Sequence, residues 1–179
     1  NESLNLNFNL QEKLINELPF ELTKNQYKII NDINNYNNTQ YRETVLLQGD
    51  VGSGKTIVSL LTAIPFIQKH KQVAYMAPTE ILANQIYSNV LNHLDNEEVK
   101  PILLTGSSKN KSEIYEKIEK GIFNFIIGTH AIFQENLNFS SLAYVIIDEQ
   151  HRFGVQQRLY LAEKGINTNI LLMSATPIP

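Results

Sequence analysis

The residues with the clearest chemical purpose form one short run, Gly49-Asp50-Val51-Gly52-Ser53-Gly54-Lys55-Thr56, which fits the pattern G-x-x-x-x-G-K-[ST]. Glycines at 49, 52 and 54 let a backbone approach a phosphate chain closely, and the N–H groups at the start of a following helix favour the negative charge. Lys55 then reaches the β- and γ-phosphates of a nucleoside triphosphate, and the Thr56 hydroxyl ligates Mg²⁺. A plain glycine-rich turn gives no reason for Lys-Thr after the last glycine. A second acidic element is required at the carboxyl end of a neighbouring buried strand, and Tyr144-Val-Ile-Ile-Asp148-Glu149 supplies it. Asp148 is expected to hold Mg²⁺ through water, while Glu149 stands where a carboxylate orients or deprotonates an attacking water.

These groups need strands that end beside one another. The phosphate loop lies directly after the apolar run VLLQ and before a helical pattern, as a phosphate-binding loop must. From Val45 onward, VLLQ, VAYMA, ILLT, NFIIG, YVIID and ILLMS alternate with helical segments, which predicts a mostly parallel sheet. The strand runs are continuously apolar, so helices should cover both faces. Between Ile81 and Leu94, the residues Ile81, Leu82, Ile86, Val90, Leu91 and Leu94 recur at helical spacing, with Pro78 and Thr79 as a start signal; this helix is expected on the sheet. Pro65 falls inside the pattern after Lys55 and predicts either a kink or a break one turn earlier. The stretch NDINNYNNTQ predicts a helix end and then a loop. Residues 1–18 have no place in the alternation and are expected to be an approach segment to a domain spanning 19–179.

With 179 residues and 42% hydrophobic content, one domain with a real core is expected. The chain has no cysteine, which excludes a disulfide framework and a thiolate metal site, and its four histidines show no ligand spacing. No apolar run approaches the roughly 20 residues needed to span a bilayer, and no signal pattern opens the chain, so a soluble, non-membrane protein is expected. The net charge of −3 lacks the basic footprint of a nucleic-acid binder, so any DNA contact must be local. Lys outnumbers Arg twelve to three and Asn is abundant, which an A+T-rich coding bias explains without function. The missing initiator Met and the stop at Pro179 suggest a piece of something longer.

Asp148-Glu-Gln-His151 followed by Arg-Phe-Gly-Val-Gln-Gln-Arg158 resembles the second helicase motif of superfamily 2 and, within it, the RecG family of DNA translocases. Four more blocks in the same order resemble that family: Leu18-Pro-Phe-Glu-Leu-Thr-Lys-Asn-Gln26, Met76-Ala-Pro-Thr-Glu80, Gly128-Thr-His-Ala-Ile-Phe-Gln134 and Ser174-Ala-Thr-Pro-Ile-Pro179. The transcription-repair coupling factor Mfd shares His-Arg-Phe-Gly but is less similar at Asp-Glu-Gln-His and Met-Ala-Pro-Thr-Glu. The resemblance implies a RecA-like P-loop fold and an ATP-binding domain of a helicase that works on branched or forked DNA in recombination and repair. It also implies a monomeric parent acting in the bacterial cytoplasm at the nucleoid, with an organelle as the alternative compartment.

It further implies roles for single residues. Gln26 falls where the family reads adenine, and an amide suits that edge, yet Thr23-Lys-Asn-Gln26 also fits a capping box in which Gln26 caps a helix. Phe20 either stacks on the base or is an ordinary core aromatic. Pro78-Thr79-Glu80, Thr105-Gly106-Ser107 and Gly128-Thr129-His130 match motifs that touch the DNA backbone, contacts that fix register without reading sequence; helix capping or strand termination is the alternative for each, and the favoured one for the Thr105 group taken alone. Ser174-Ala175-Thr176 resembles the motif that couples the nucleotide site to DNA, through Gln150 or His151, both of which belong to the nucleotide-binding set. The family's second RecA-like domain, which supplies an arginine finger, and its wedge domain have no counterpart here, and Arg42, Arg152 and Arg158 do not match the finger. Because a finger contributes on the order of 10³ to 10⁵ in turnover, the domain alone is expected to bind ATP weakly and hydrolyse it negligibly. A GTPase lacks support, since Asn-Lys-x-Asp is absent, and a binding-only module conflicts with the presence of Lys55, Asp148 and Glu149 together.

Overall fold

The computed structural model describes residues 4–39, 44–48, 54–148, 160–161, 163–164 and 166–174. Its centre is a six-stranded sheet built from β1 (Thr44–Gln48), β2 (Gln72–Met76), β3 (Pro101–Leu104), β4 (Phe125–Gly128), β5 (Leu142–Asp148) and β6 (Asn169–Ser174). The strand order is β1-β6-β5-β2-β4-β3 and every pairing is parallel. Each expected strand is present. Alternate residues feed two separate cores, as the two-residue strand period requires. Val73, Tyr75, Phe125, Ile127, Tyr144 and Ile146 join one, while Ala74, Met76, Ile126, Val145 and Ile147 join the other.

The first core is covered by four helices: α1 (Asn9–Glu17), α2 (Lys24–Asn37), α3 (Lys55–Gln68) and α4 (Glu80–His93). The second is covered by α5 (Lys111–Glu119), a 3₁₀ turn at His130–Phe133, and Tyr160 with Leu161. In α4 the buried stripe is Ala83, Ile86 and Val90, continued by Leu94, whereas Ile81 and Leu91 are exposed. At 100° per residue those two lie off the stripe, so helical spacing overstated the buried face.

Pro65 does not break α3, which continues to Gln68. Proline cannot donate to the carbonyl four residues earlier, and that carbonyl, Leu61 O, accepts instead from Gln11 Nε2 at 2.9 Å. Gln11 and Asn34 exchange amide hydrogen bonds of 3.2 and 2.8 Å in the same buried place. α1, α2 and α3 are thereby keyed together, with Leu10 and Leu14 buried beside the amides. The Asn-rich stretch remains helical through Asn37 because Ile30, Ile33, Asn34 and Asn37 all turn inward. Asn37 receives Nδ2 of Asn169 from β6, at its carbonyl (3.3 Å) and its Oδ1 (3.2 Å). Whatever coding bias supplied these asparagines, several now carry the packing.

Candidate nucleotide site

In a parallel sheet the carboxyl ends of all strands lie along one edge, and the chemistry-bearing segments follow those ends. β1 leads to the phosphate loop, β5 ends in Asp148, and β2, β3 and β4 lead to the groups at Pro78, Thr105 and Thr129. β6 ends in Ser174, between β1 and β5. Residues 49–53, Glu149, Gln150, His151, Ala175 and Thr176 lie outside the described residues.

The described part of the loop begins at Gly54, which has a φ of +80° and precedes the first turn of α3. That left-handed conformation favours glycine. A Cβ there would also lie 2.1 Å from Gln26 Nε2. The same Gln26 completes the capping box of α2: its N–H donates to Thr23 Oγ1 at 3.1 Å and its Oε1 accepts from the Thr23 N–H at 2.8 Å. The cap therefore uses the amide oxygen while the amide nitrogen faces the start of the phosphate-binding helix. The atom that accepts in the cap, Oε1, is not the atom nearest Gly54.

A cleft of about 410 Å³ opens at this edge, lined in part by Phe20, Gly54, Lys55, Thr56, His93 and Asp148. Asp148 is buried, and the Tyr75 hydroxyl from neighbouring β2 lies 3.4 Å from its Oδ2. Thr56 and Asp148 thus offer a hydroxyl and a carboxylate to one space, the hard oxygen donors that suit Mg²⁺ when phosphate and water complete its shell. Phe20 is 44% exposed, so it is not a core aromatic. Its ring meets His93 edge-on at 5.7 Å, leaving a face available to a flat ligand.

Leu82, Asn89 and His93 also line the cleft, together with Ile57 and Leu60 of α3. Sequence reading did not single out this wall. The spacing 82, 89, 93 does mark one face of α4, but only the packing of α4 beside α3 aims that face at the nucleotide loop. Tyr75 was missed for the same reason, since its nearness to Asp148 depends on the β2–β5 register.

The three expected DNA-contact groups sit along the same edge. Thr79 caps α4 by accepting from the Leu82 N–H at 3.2 Å. Ser107, after β3, reaches across to Glu80. Thr105 and Thr129 are buried, and His130 is exposed. Gly128 is required where β4 meets β3, because a Cβ would stand 1.8 Å from the Leu104 carbonyl oxygen.

A parallel sheet clothed on both faces, with a phosphate-loop sequence after its edge strand and an acidic strand end two strands away, defines a P-loop nucleotide-binding domain; the DEAD/DEAH box helicase family model matches residues 23–179, and the chain belongs to that family. Within it, the similarity is to the ATP-dependent DNA helicase RecG: 51% identity to the protein of Borreliella burgdorferi over 99% of this chain and 26% of the relative, and 45% to that of Escherichia coli K12 over 99% and 27%. A solved RecG structure bound to a three-way DNA junction superimposes with a TM-score of 0.86 at 38% identity, covering 99% of this chain and 24% of that one. The chain spans about a quarter of the length of these relatives. The resemblance read from the motifs is borne out, and the Mfd alternative is not favoured. Among the described residues, no helix is long and apolar enough to cross a membrane.

Proposed function

We propose that this chain is the ATP- and Mg²⁺-binding motor domain of a RecG-like DNA helicase, coupling ATP hydrolysis to movement on branched or forked DNA. The single observation that carries the reading is the convergence of Gly54, Lys55, Thr56, Asp148 and Phe20 on one cleft, with Gln26 Nε2 against its glycine. Lys55 draws the β- and γ-phosphates to the start of α3, where helix N–H groups add to its charge. Thr56 and Asp148 would hold Mg²⁺, which when bound would neutralise charge developing on the phosphates. Glu149, one residue past Asp148, orients the attacking water. Phe20 stacks on the base, and Gln26 donates from Nε2 to a ring acceptor without giving up its cap.

The backbone near Thr79, Thr105–Ser107 and Gly128–His130 takes DNA phosphates, and Ser174–Thr176 links the two sites through Gln150 or His151. A second RecA-like domain in the parent supplies the arginine finger, and a wedge domain selects the branched substrate. The parent works as a monomer in the bacterial cytoplasm, at the nucleoid.

Calorimetric titration with ATP and GTP in the presence of Mg²⁺ tests the nucleotide half of this reading. Adenine-selective binding that Lys55→Ala abolishes and Gln26→Ala weakens is expected. Equal binding of GTP, untouched by Gln26→Ala, would reduce Gln26 to a helix cap and remove the base-reading role.

A further inference from the structure

The loop after β3 is closed on itself and tied to its neighbour by a carboxylate. The Thr105 N–H donates to Ser108 Oγ at 2.9 Å, and the Ser108 N–H donates back to the Thr105 carbonyl at 3.1 Å. Lys111 Nζ donates to the Gly106 carbonyl at 2.9 Å. These bonds shape the loop but do not fix where it stands. Glu80, the first residue of α4, supplies that link: its Oε1 accepts from the Ser107 N–H at 3.1 Å, and its two oxygens accept from the Ser107 hydroxyl at 2.9 and 2.8 Å. The carboxylate also lies under Gly106, whose Cβ, if present, would be 3.5 Å from Oε1.

Glu80 suits this task as an anion. The Ser107 hydroxyl holds its carboxyl below the usual range, aided by the Ser107 N–H, the Thr105 hydroxyl and the Lys111 ammonium. Hydrogen bonds to an ionised acceptor are shorter and stronger than neutral ones, and a carboxylate is favoured in the first turn of a helix. The same properties make Glu80 a poor ligand for a DNA phosphate, which it repels. Its oxygens are engaged, and both donors of Ser107 are turned toward it.

We propose that Glu80 is a positioning residue: through Ser107 it holds the β3–α5 loop in register with the start of α4, so that the backbone at Gly106 and at Thr79 presents one surface to a DNA phosphate. This rests on the DNA-motor reading above and takes Glu80 out of the set of DNA contacts that its motif implied. Two loops on separate strands become one phosphate-binding surface only when something fixes their spacing, and this cross-element bond is placed to do so.

The test uses the full-length protein and a forked duplex, with DNA affinity measured by fluorescence anisotropy and ATP affinity by calorimetry on the same samples. Glu80→Ala is expected to weaken DNA binding about tenfold, Ser107→Ala by less because its N–H still donates to Oε1, and the double variant to be no weaker than Glu80→Ala, since the hydroxyl bonds can be lost only once. Glu80→Gln, which keeps an acceptor oxygen, is expected to recover to within about threefold of the parent. Tighter DNA binding by Glu80→Ala would overturn the proposal and make the carboxylate a competitor of phosphate. Additive losses, unchanged affinity, or a Gln variant as weak as the Ala variant would overturn it as well. If the unsubstituted protein fails to bind the duplex at all, the DNA-motor reading itself falls and takes this proposal with it.

Discussion

Gly54→Ala perturbs two things that the structure separates. The first is backbone conformation: at φ +80°, an L-residue with a Cβ costs roughly 1–2 kcal/mol relative to glycine. The second is the new Cβ, 2.1 Å from Gln26 Nε2. That nitrogen ends a flexible side chain, so Gln26 swings aside instead of forcing the backbone apart. The swing breaks the bond from the Thr23 N–H to Oε1, while the bond from the Gln26 N–H to Thr23 Oγ1 stays. Losing half of an exposed capping box costs about 0.5–1 kcal/mol. The expected total is about 1.5–3 kcal/mol.

Urea unfolding of Gly54→Ala, Gln26→Ala and the double variant checks this. Gln26→Ala alone should cost about 0.5–1 kcal/mol. The double variant should cost no more than Gly54→Ala alone, since the cap bond can be lost only once. Strictly additive losses would refute the reasoning, because they would mean that Gln26 and Gly54 do not touch. A loss below about 0.5 kcal/mol for Gly54→Ala would show that this residue does not adopt the left-handed conformation.

Gln11→Ala should destabilise by about 2–4 kcal/mol in chemical unfolding, since it strands the Leu61 carbonyl and the Asn34 amide in a buried place; wild-type stability in that variant would mean that α1 does not dock through the amides. Burial pushes the Tyr144 hydroxyl up to about 12, against hydrogen bonds with Thr62 and Asn37 that pull the other way. A folded-state value raised above the unfolded one gives stability that is complete below about pH 10 and lost as pH rises through about 12. Tyr144→Phe should therefore flatten the stability profile in that window relative to wild type, read by unfolding at a series of alkaline pH values; parallel profiles would count against it.

All six strands were legible because each is written as a run of consecutive apolar residues, and the run that ends at Asp148 is β5. What depended on distant partners was not. α1 offers few apolar residues, and its docking turns on Gln11 reaching a carbonyl that Pro65 leaves open fifty residues later. Pro65 read as a helix breaker because the compensating amide lies on another element. Gln26 read as a choice between cap and base contact because a sequence names the side chain and not which of its atoms is used. Glu80 followed its motif into the group of DNA contacts, and only the distances to Ser107 give it different work.

The strand order carries a consequence for how the molecule is assembled. β1 pairs with β6, joining Thr44 to Ile170 across a long stretch of intervening sequence, and among the described residues β6 is its one neighbour in the sheet. During synthesis the chain emerges from its N-terminus, so β2, β3, β4 and β5 can pair while β1 waits without a partner. Closing so long a loop is the slow, entropically expensive kind of contact. β1 is thus fastened to the sheet last, and a nascent chain that stalls before β6 lacks the strand that holds it.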